Sequence, residues 1–185
     1  YTFFMNTPKK LSEKIALDNG YIKIIEKNFQ NKDGSVSNFL ISSISKNVSV
    51  WIFVLPVTKD WKIIYLKEFR YWPEKFIINI PVWMLDDGLT DLECCKKELK
   101  EETGYISSEI TYLWHSIVEN YFEWEDRYYI AKDCHKAWSQ DLEKWELIEV
   151  NIATVAEFEK MILDWEVECA KSAYCFLLAK SKWFI

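Results

Sequence analysis

Glycine is scarce in this chain, which has only four glycines among 185 residues. An average usage of about 7% would give roughly 13 glycines in a chain of this length. Tryptophan is abundant instead, with ten residues. Several of these tryptophans occupy positions where turn chemistry favours glycine. In the segment Lys59-Asp60-Trp61-Lys62, for example, tryptophan stands between two apolar runs, where Asp-Gly is the favoured hairpin pair.

The chain has no net positive charge and no long apolar run. The formal net charge is -6 and the pI is about 5.1, which argues against a general surface for nucleic acid or anionic membranes. A single anionic ligand remains compatible with acidic groups when a divalent metal bridges them. No apolar run approaches the roughly 20 residues that cross a bilayer, and no leader-like segment stands at the start. We therefore expect a soluble cytoplasmic protein that binds neither nucleic acid nor membranes.

The five cysteines lack the spacing of a disulfide framework. Their number is odd and no CxxC occurs, so we expect reduced thiols. A zinc site that uses Cys134 and His135 with another pair is an alternative, but adjacent ligands strain tetrahedral coordination.

Apolar periodicity predicts several β-strands before the first helix. The predicted strands cover residues 21–29, 37–43, 48–57, 61–69 and 75–80, and the turn at 31–35 joins the first two into a hairpin. Thr90 and Glu93 have the spacing of a capping box, which begins a helix that ends at Gly104. Later segments predict strands at 109–118, 127–132 and 147–152 and helices at 154–163 and 167–180.

This order of elements predicts an α/β domain at residues 46–185, preceded by an N-terminal β segment at residues 1–45. The hairpin in that segment has too few residues to bury both of its faces by itself. We therefore expect it to pack on the body or on a second copy, and a homodimer is favoured over a monomer.

The end of the first helix carries a cluster of carboxylates. Glu98 and Glu102 lie four residues apart on one helical face, and Glu101 flanks them. Like charges so placed destabilise a helix, but they become favourable when a hard cation such as Mg²⁺ binds. The alternative interpretation is a solvated acidic patch, balanced by Lys96, Lys97 and Lys100.

A longer pattern around this helix resembles the Nudix box. In that box a glycine, a glutamate six residues later and a closing Arg-Glu-x-x-Glu-Glu-x-Gly stand at fixed spacing, and the segment from Pro81 to Tyr105 follows it without a gap. Four residues match the closing part, namely Glu98, Glu101, Glu102 and Gly104. The resemblance implies that this strand, loop and helix hold a divalent metal over a pyrophosphate.

Three positions depart from the Nudix box. Leu89 stands for the first glutamate, which removes a supporting carboxylate. Lys97 stands for the arginine, which keeps the charge but loses the bidentate fork. Trp83 stands for the glycine, and its indole would lie in a loop whose backbone should approach metal and phosphate closely.

Flanking segments are similar to the ADP-ribose pyrophosphatase branch of the Nudix superfamily. They are Glu68-Phe69-Arg70-Tyr71, Asn79-Ile80-Pro81 and the segment 146–150. The resemblance implies a Nudix-type α/β/α sandwich with a mixed β-sheet and an N-terminal β segment that takes part in dimerisation. It also implies that Arg70 helps to bind the substrate, and Lys97 is a second substrate-binding candidate.

The chemistry that the resemblance implies is hydrolysis of the pyrophosphate bond of a nucleoside diphosphate derivative. ADP-ribose or another nucleotide sugar is the expected substrate, and Mg²⁺ or Mn²⁺ is the expected cofactor. Its ligands and the catalytic centre would be Glu98, Glu101 and Glu102. A glutamate from a later loop can serve as catalytic base, which nominates Glu123, Glu125, Glu143 or Glu146; we include Glu146 among the catalytic candidates.

Two other classes of function remain open from the sequence. The first is a non-catalytic Nudix-fold domain that binds a nucleotide sugar or a protein partner, for which Trp83 and Leu89 are the motivation. The second is an acidic scaffold without a nucleotide site, which has no motif of its own.

The tryptophans carry a further expectation. Five of them occupy turn-like positions, namely Trp61, Trp72, Trp83, Trp124 and Trp165. A random excess of tryptophan should instead favour apolar strand and helix positions, where a large ring is buried. We therefore expect many of these codons to be read as glycine in the source organism, through a genetic code that reassigns UGA.

Overall fold

The computed structural model describes residues 7–45, 49–117 and 121–185. The chain divides into two compact units, of which the first comprises Tyr1–Ser49 with Ile117–Glu125 and the second comprises Val50–Ser116 with Asp126–Ile185. Positions 46, 48 and 118, at which a predicted domain or strand begins or ends, lie outside the described residues.

The first unit contains a three-stranded antiparallel sheet in the order β1-β2-β3. Its strands are β1 (Lys9–Asp18), β2 (Ile22–Gln30) and β3 (Val36–Ile44). The predicted hairpin is confirmed as β2 and β3, and Gly34 in its turn has φ +85°. Strand β1 was not predicted from the sequence. Its charged residues conceal the alternation, and all of its residues are exposed.

The second unit is built on an eight-stranded sheet, whose main path runs β11-β5-β4-β10-β8. The short strands β6 and β7 pair with β5 and β4 respectively, and β9 pairs with β10. The strands are β4 (Val50–Thr58), β5 (Lys62–Arg70), β6 (Lys75–Asn79), β7 (Val82–Met84), β8 (Tyr105–Ile106), β9 (Glu109–Ile117), β10 (Glu125–Lys136) and β11 (Ile148–Thr154).

Three helices complete this unit, namely α1 (Asp91–Thr103), α2 (Val155–Leu163) and α3 (Ala170–Ser181). The predicted capping box of α1 is confirmed, because the Thr90 side chain accepts from the Glu93 amide while the Glu93 side chain accepts from Thr90. The corresponding box at Thr154 begins α2 as predicted. Among the described residues, no helix has both the length and the apolar character that a bilayer-spanning segment needs.

Helices cover both faces of strand β4. Phe53 and Leu55 belong to the core cluster that includes Phe158 of α2 and Phe176 of α3. Because side chains alternate along a strand, the buried residue Ile52 faces the other side. Helix α1 also contacts β4, and its buried residues lie outside that cluster. The predicted α/β sandwich is confirmed.

Three tryptophans have a left-handed backbone. The φ angles are +60° at Trp61, +64° at Trp165 and +62° at Trp183. Trp72 and Trp124 lie in connections between strands, whereas the expectation of a turn at position 83 is wrong, because Trp83 lies in strand β7. The strand forms there because the backbone of residues 82–84 pairs in antiparallel register with β4.

Candidate active site

The start of α1 is fixed on strand β10 by a charged network. Arg127 Nη1 donates to both carboxylate oxygens of Asp91, at 2.9 and 3.0 Å, and the Tyr129 hydroxyl donates to Asp91 Oδ2 at 2.5 Å. Hydrogen bonds to a charged carboxylate are stronger than neutral ones. The network therefore sets the position of the helix on which the glutamates of the Nudix box lie.

The end of α1 depends on Gly104, which has φ +71° and donates from its amide to the Lys100 carbonyl at 2.7 Å. A Cβ atom at this position would lie 2.3 Å from the backbone oxygen of Trp138. The Gly104 carbonyl accepts from the amides of Ala137 and Trp138, each at 3.0 Å. The glycine of the Nudix box therefore permits close contact between the helix end and the segment after β10.

The segment after β10 is held against the same helix end. The Gln140 side-chain amide donates to the Glu102 carbonyl at 2.7 Å and to the Ile148 carbonyl at 3.3 Å. The Asp141 amide donates to the Glu101 carbonyl at 2.9 Å. These bonds place the loop before β11 beside the carboxylates of α1.

A cleft of about 780 Å³ lies between the end of α1, strands β5 and β7, and this loop. It contains the residues that the sequence assigned to metal, substrate or catalysis, together with one of the three other candidate bases, Glu143: Arg70, Lys97, Glu98, Glu101, Glu102, Glu143 and Glu146. It also contains Glu68, Asp86, Trp51 and Trp145, to which the sequence assigned no role.

Glu102 is a buried carboxylate in the cleft, with 6% of its surface exposed, as is Glu68. Burial raises its pKa well above the usual range, and the negative charges of Glu68, Glu98 and Glu146 raise it further. Its Oε2 atom is buried and has no hydrogen-bond partner among the described residues. Burial also raises the pKa of Glu98. A cation would relieve this accumulation of negative charge.

Lys97 provides a positive charge among these carboxylates. Its ammonium group donates to Asp86 Oδ2 at 3.0 Å and to Glu98 Oε1 at 3.2 Å, and it lies 3.9 Å from Glu101 Oε2. The hydrogen bond to Asp86 is the main reason that the pKa of Lys97 is raised. Lys97 therefore keeps the charge that the Nudix box has at this position and orients Glu98.

Arg70 reaches the cleft from the end of strand β5, where its guanidinium lies 2.9 Å from Glu68 Oε2. The Asn79 side-chain amide donates to the same oxygen at 3.2 Å, and Asn79 Oδ1 accepts from the Ser172 hydroxyl at 2.5 Å. Burial raises the pKa of Glu68 despite the ion pair. Glu68 could have been nominated from the sequence, because it stands two residues before Arg70 and residues two apart on a strand share a face.

The four candidates for the catalytic base fall in different places. Glu143 and Glu146 line the cleft, and the Glu146 carboxylate accepts from the Glu143 amide at 2.9 Å. The negative charge of Glu146 contributes to the raised pKa values of Glu68 and Glu102. Glu123 belongs to the first unit, where it accepts from Lys27 at 2.6 Å, and Glu125 begins β10.

The departures from the Nudix box have different structural consequences. Trp83 lines the cleft, and its indole Nε1 is buried without a hydrogen-bond partner among the described residues. Leu89 is 38% exposed. Trp83 is therefore the departure that alters the interior of the cleft.

The donor groups of the cleft suit a hard divalent cation. Carboxylate oxygens are the ligands that Mg²⁺ takes in proteins, and it completes its octahedron with water and phosphate oxygens. In the described part of the chain, no three side chains of His, Cys, Asp or Glu converge as a ready-made metal site. The unpartnered Glu102 oxygen, with Glu98 and Glu101 on the same helix end, nevertheless supplies the donors that such a cation needs.

Comparison with known proteins gives two informative matches, although no family model matches the chain. The chain is 31% identical over 125 residues to the ADP-ribose pyrophosphatase of Bacillus subtilis (strain 168), which covers 66% of this chain and 68% of that enzyme. The crystal structure of an ADP compounds hydrolase superposes with a TM-score of 0.82 at 16% identity, over 96% of this chain and 94% of that one.

The glutamate-bearing helix end and the sandwich fold define a hydrolase of the Nudix class. The chain belongs to the ADP-ribose pyrophosphatase-like branch of the Nudix hydrolase family. This confirms the family that the sequence predicted. The comparisons do not favour the alternative of a non-catalytic binding domain.

Proposed function

We propose that this chain hydrolyses the pyrophosphate bond of ADP-ribose or another nucleotide sugar, with Mg²⁺ or Mn²⁺ as cofactor. The observation that carries this proposal is the position of Glu98, Glu101 and Glu102 in one cleft with Arg70 and Lys97. The relative from Bacillus subtilis, which is an ADP-ribose pyrophosphatase, supports the choice of substrate. The products are a nucleoside monophosphate and a phosphorylated sugar.

The cleft has the size and the charges that this substrate requires. Its volume of about 780 Å³ lies within the range of about 300–1,000 Å³ that is typical of small-molecule sites. Arg70 presents a guanidinium whose planar donors match phosphate oxygens. Lys97 adds a second positive charge beside the carboxylates. We assign both residues to binding of the diphosphate.

The carboxylates at the end of α1 are assigned to the cofactor. Glu98, Glu101 and Glu102 would hold it, and Glu102 contributes the oxygen that has no partner within the protein. A divalent cation held by these residues would supply positive charge for the diphosphate and would lower the pKa of a water that attacks phosphorus. Lys97 would then exchange its contact with Glu98 for one with a substrate phosphate.

Glu146 is assigned as the catalytic base. A base must lie within reach of the proton that it abstracts. Glu146 lines the cleft, and its negative charge contributes to the raised pKa of Glu102, which supports this assignment. The bond from the Glu143 amide orients that carboxylate and leaves its other oxygen available for the proton of the attacking water.

Activity on a panel of nucleoside diphosphate compounds tests this proposal. The chain and its Trp83→Gly variant are incubated with ADP-ribose and other nucleotide sugars in Mg²⁺ or Mn²⁺, and phosphate is measured after phosphatase coupling. We expect metal-dependent release from ADP-ribose that a chelator abolishes. Thermal stabilisation by these compounds without turnover in either protein would instead identify a binding domain.

We also propose that the protein acts as a homodimer in the cytoplasm. Strand β1 carries the exposed apolar side chains of Leu11, Ile15 and Leu17. An exposed apolar strand is a template for association. A second copy of the chain is the occupant that the family resemblance favours for this face.

A further inference from the structure

The three tryptophans with left-handed backbones occupy an environment that suits glycine. A bulky residue with positive φ is an outlier, because its Cβ approaches the backbone carbonyl too closely. All four glycines of the chain also have positive φ, between +71° and +86°. Trp61, Trp165 and Trp183 therefore share the backbone conformation of every glycine that the sequence retains.

Trp165 and Trp183 stand at the same position of two helix ends. After α2, the Trp165 amide donates to the Ile162 carbonyl at 3.2 Å and the Glu166 amide donates to the Met161 carbonyl at 2.9 Å. This pair of bonds is the Schellman motif, in which the left-handed residue just past the helix cap is usually glycine. Trp165 occupies that glycine position.

The end of α3 repeats the motif. The Trp183 amide donates to the Lys180 carbonyl at 3.1 Å, and the Phe184 amide donates to the Ala179 carbonyl at 3.0 Å. The two indole rings bury little surface that could offset the strained backbone, since Trp165 is 87% exposed and Trp183 is 93% exposed. Packing of the indole therefore does not explain tryptophan at either helix end.

Trp61 lies in the tight connection between β4 and β5. Its amide donates to the Thr58 carbonyl at 3.0 Å, which closes the turn, and its side chain is exposed. Asp60 precedes it, so the pair stands where Asp-Gly is favoured in hairpins. Only Trp61 of this three-residue connection has a positive φ, and the left-handed position of such a hairpin loop favours glycine.

Trp83 shows the same mismatch by a different criterion. Its backbone is extended, but its indole Nε1 is buried and unpartnered among the described residues. A buried donor without an acceptor is costly. The Nudix box has glycine at this position, so the sequence pattern and the unpartnered indole agree.

We propose that glycine occupies positions 61, 83, 165 and 183 of the native protein, and that each is encoded by a UGA codon which the source organism reads as glycine. The tryptophan sequence is then the other translation of the same gene. With glycine at position 83, the indole leaves the cleft and the backbone of β7 becomes accessible beside Glu98 and Glu102.

The gene and the native protein test this proposal directly. We expect UGA at all four codons, and peptides of the protein purified from its source organism should have the mass of glycine at these positions. UGG codons, or peptides with tryptophan there, would overturn it. Neither readout depends on the proposed function.

Paired substitutions test the physical basis in the recombinant chain. Trp165→Gly and Trp165→Ala both remove the ring, but only glycine relaxes the left-handed backbone; the same holds at Trp183. We expect each glycine variant to unfold about 2 to 4 °C above its alanine partner, because a left-handed residue with a Cβ atom costs about 1 kcal/mol or more. At Trp114, in the extended strand β9, the alanine variant should be the more stable of the two. Alanine variants as stable as glycine variants at both helix ends would contradict the assignment.

Discussion

The Arg70 guanidinium lies 2.9 Å from a carboxylate oxygen of Glu68, on the same strand and at the edge of the cleft that holds Glu102. Glu68 is buried and also accepts from Asn79, so the ion pair has a fixed orientation. Glu68, which we do not assign to the chemistry, thereby holds Arg70 at the cleft that we propose for the substrate.

Replacement of Glu68 by glutamine should weaken substrate binding more than turnover. Glutamine keeps a hydrogen bond to Asn79 but removes the charge that orients Arg70. We expect KM to rise about fivefold to tenfold, equivalent to roughly 1 to 1.4 kcal/mol, with a smaller change in kcat. Steady-state kinetics would measure the split, and Lys67→Gln on the opposite strand face is the control. A loss confined to kcat would show that Glu68 acts in the chemical step instead.

The Arg127–Asp91 pair should contribute measurably to stability. Asp91→Asn removes the charge that accepts two bonds from Arg127 and one from Tyr129. We expect the free energy of unfolding to fall by about 1 to 3 kcal/mol, as for hydrogen bonds to charged groups. Urea unfolding would measure it. Glu13→Gln removes an exposed ion pair with Lys10 and should have a much smaller effect, because solvent screens such pairs. Equal effects would argue that the network does not anchor α1.

The Glu102 carboxyl should lower the free energy of unfolding when no divalent metal is bound. Its pKa is raised in the folded state, so the folded protein binds more protons than the unfolded chain as pH rises through the unfolded value. The carboxyl therefore destabilises the fold above that pH and has no such effect below it. We expect Glu102→Gln to raise the Tm in EDTA at pH 7.5 and to leave it nearly unchanged at pH 4. A lower Tm at pH 7.5 would mean that the carboxylate is a structural partner.

Strand β1 should determine the oligomeric state. Light scattering across micromolar concentrations should give the dimer mass for the chain, and the monomer mass after Ile15→Lys combined with Leu17→Lys. Lys14→Gln on the same strand is the matched control and should remain dimeric. A monomer mass for the unmodified chain at all concentrations would contradict the proposed dimer.

The bounds of helix α1 could be predicted from the sequence, because the residues that cap a helix are close together in the chain. Thr90 and Glu93 define the start of α1, and Gly104 defines its end. Strand β1 could not be found in this way, because its alternating pattern is interrupted by charges and by two irregularities in its register with β2. The family resemblance supplied Arg70 as a candidate.

Contacts between distant segments determine the features of the site that could not be predicted from the sequence. The role of Glu68 depends on Asn79 and on the loop before β11, which no local pattern connects. The sequence left four glutamates as candidate bases, and only the packed loop distinguishes Glu146 from Glu143. Trp183 was overlooked because the Schellman motif is defined by backbone bonds rather than by residue type.

Hydrolysis of ADP-ribose in Mg²⁺ by the Trp83→Gly chain, compared with the same chain carrying Glu102→Gln, tests the assigned cleft most directly. Glutamine preserves the volume of Glu102 and removes its charge, so the fold should persist and a cofactor ligand should be lost. We expect Mg²⁺-dependent turnover in the first protein and a loss of about 100-fold or more in the second. Equal rates in the two proteins would contradict a catalytic centre built on the glutamates of α1.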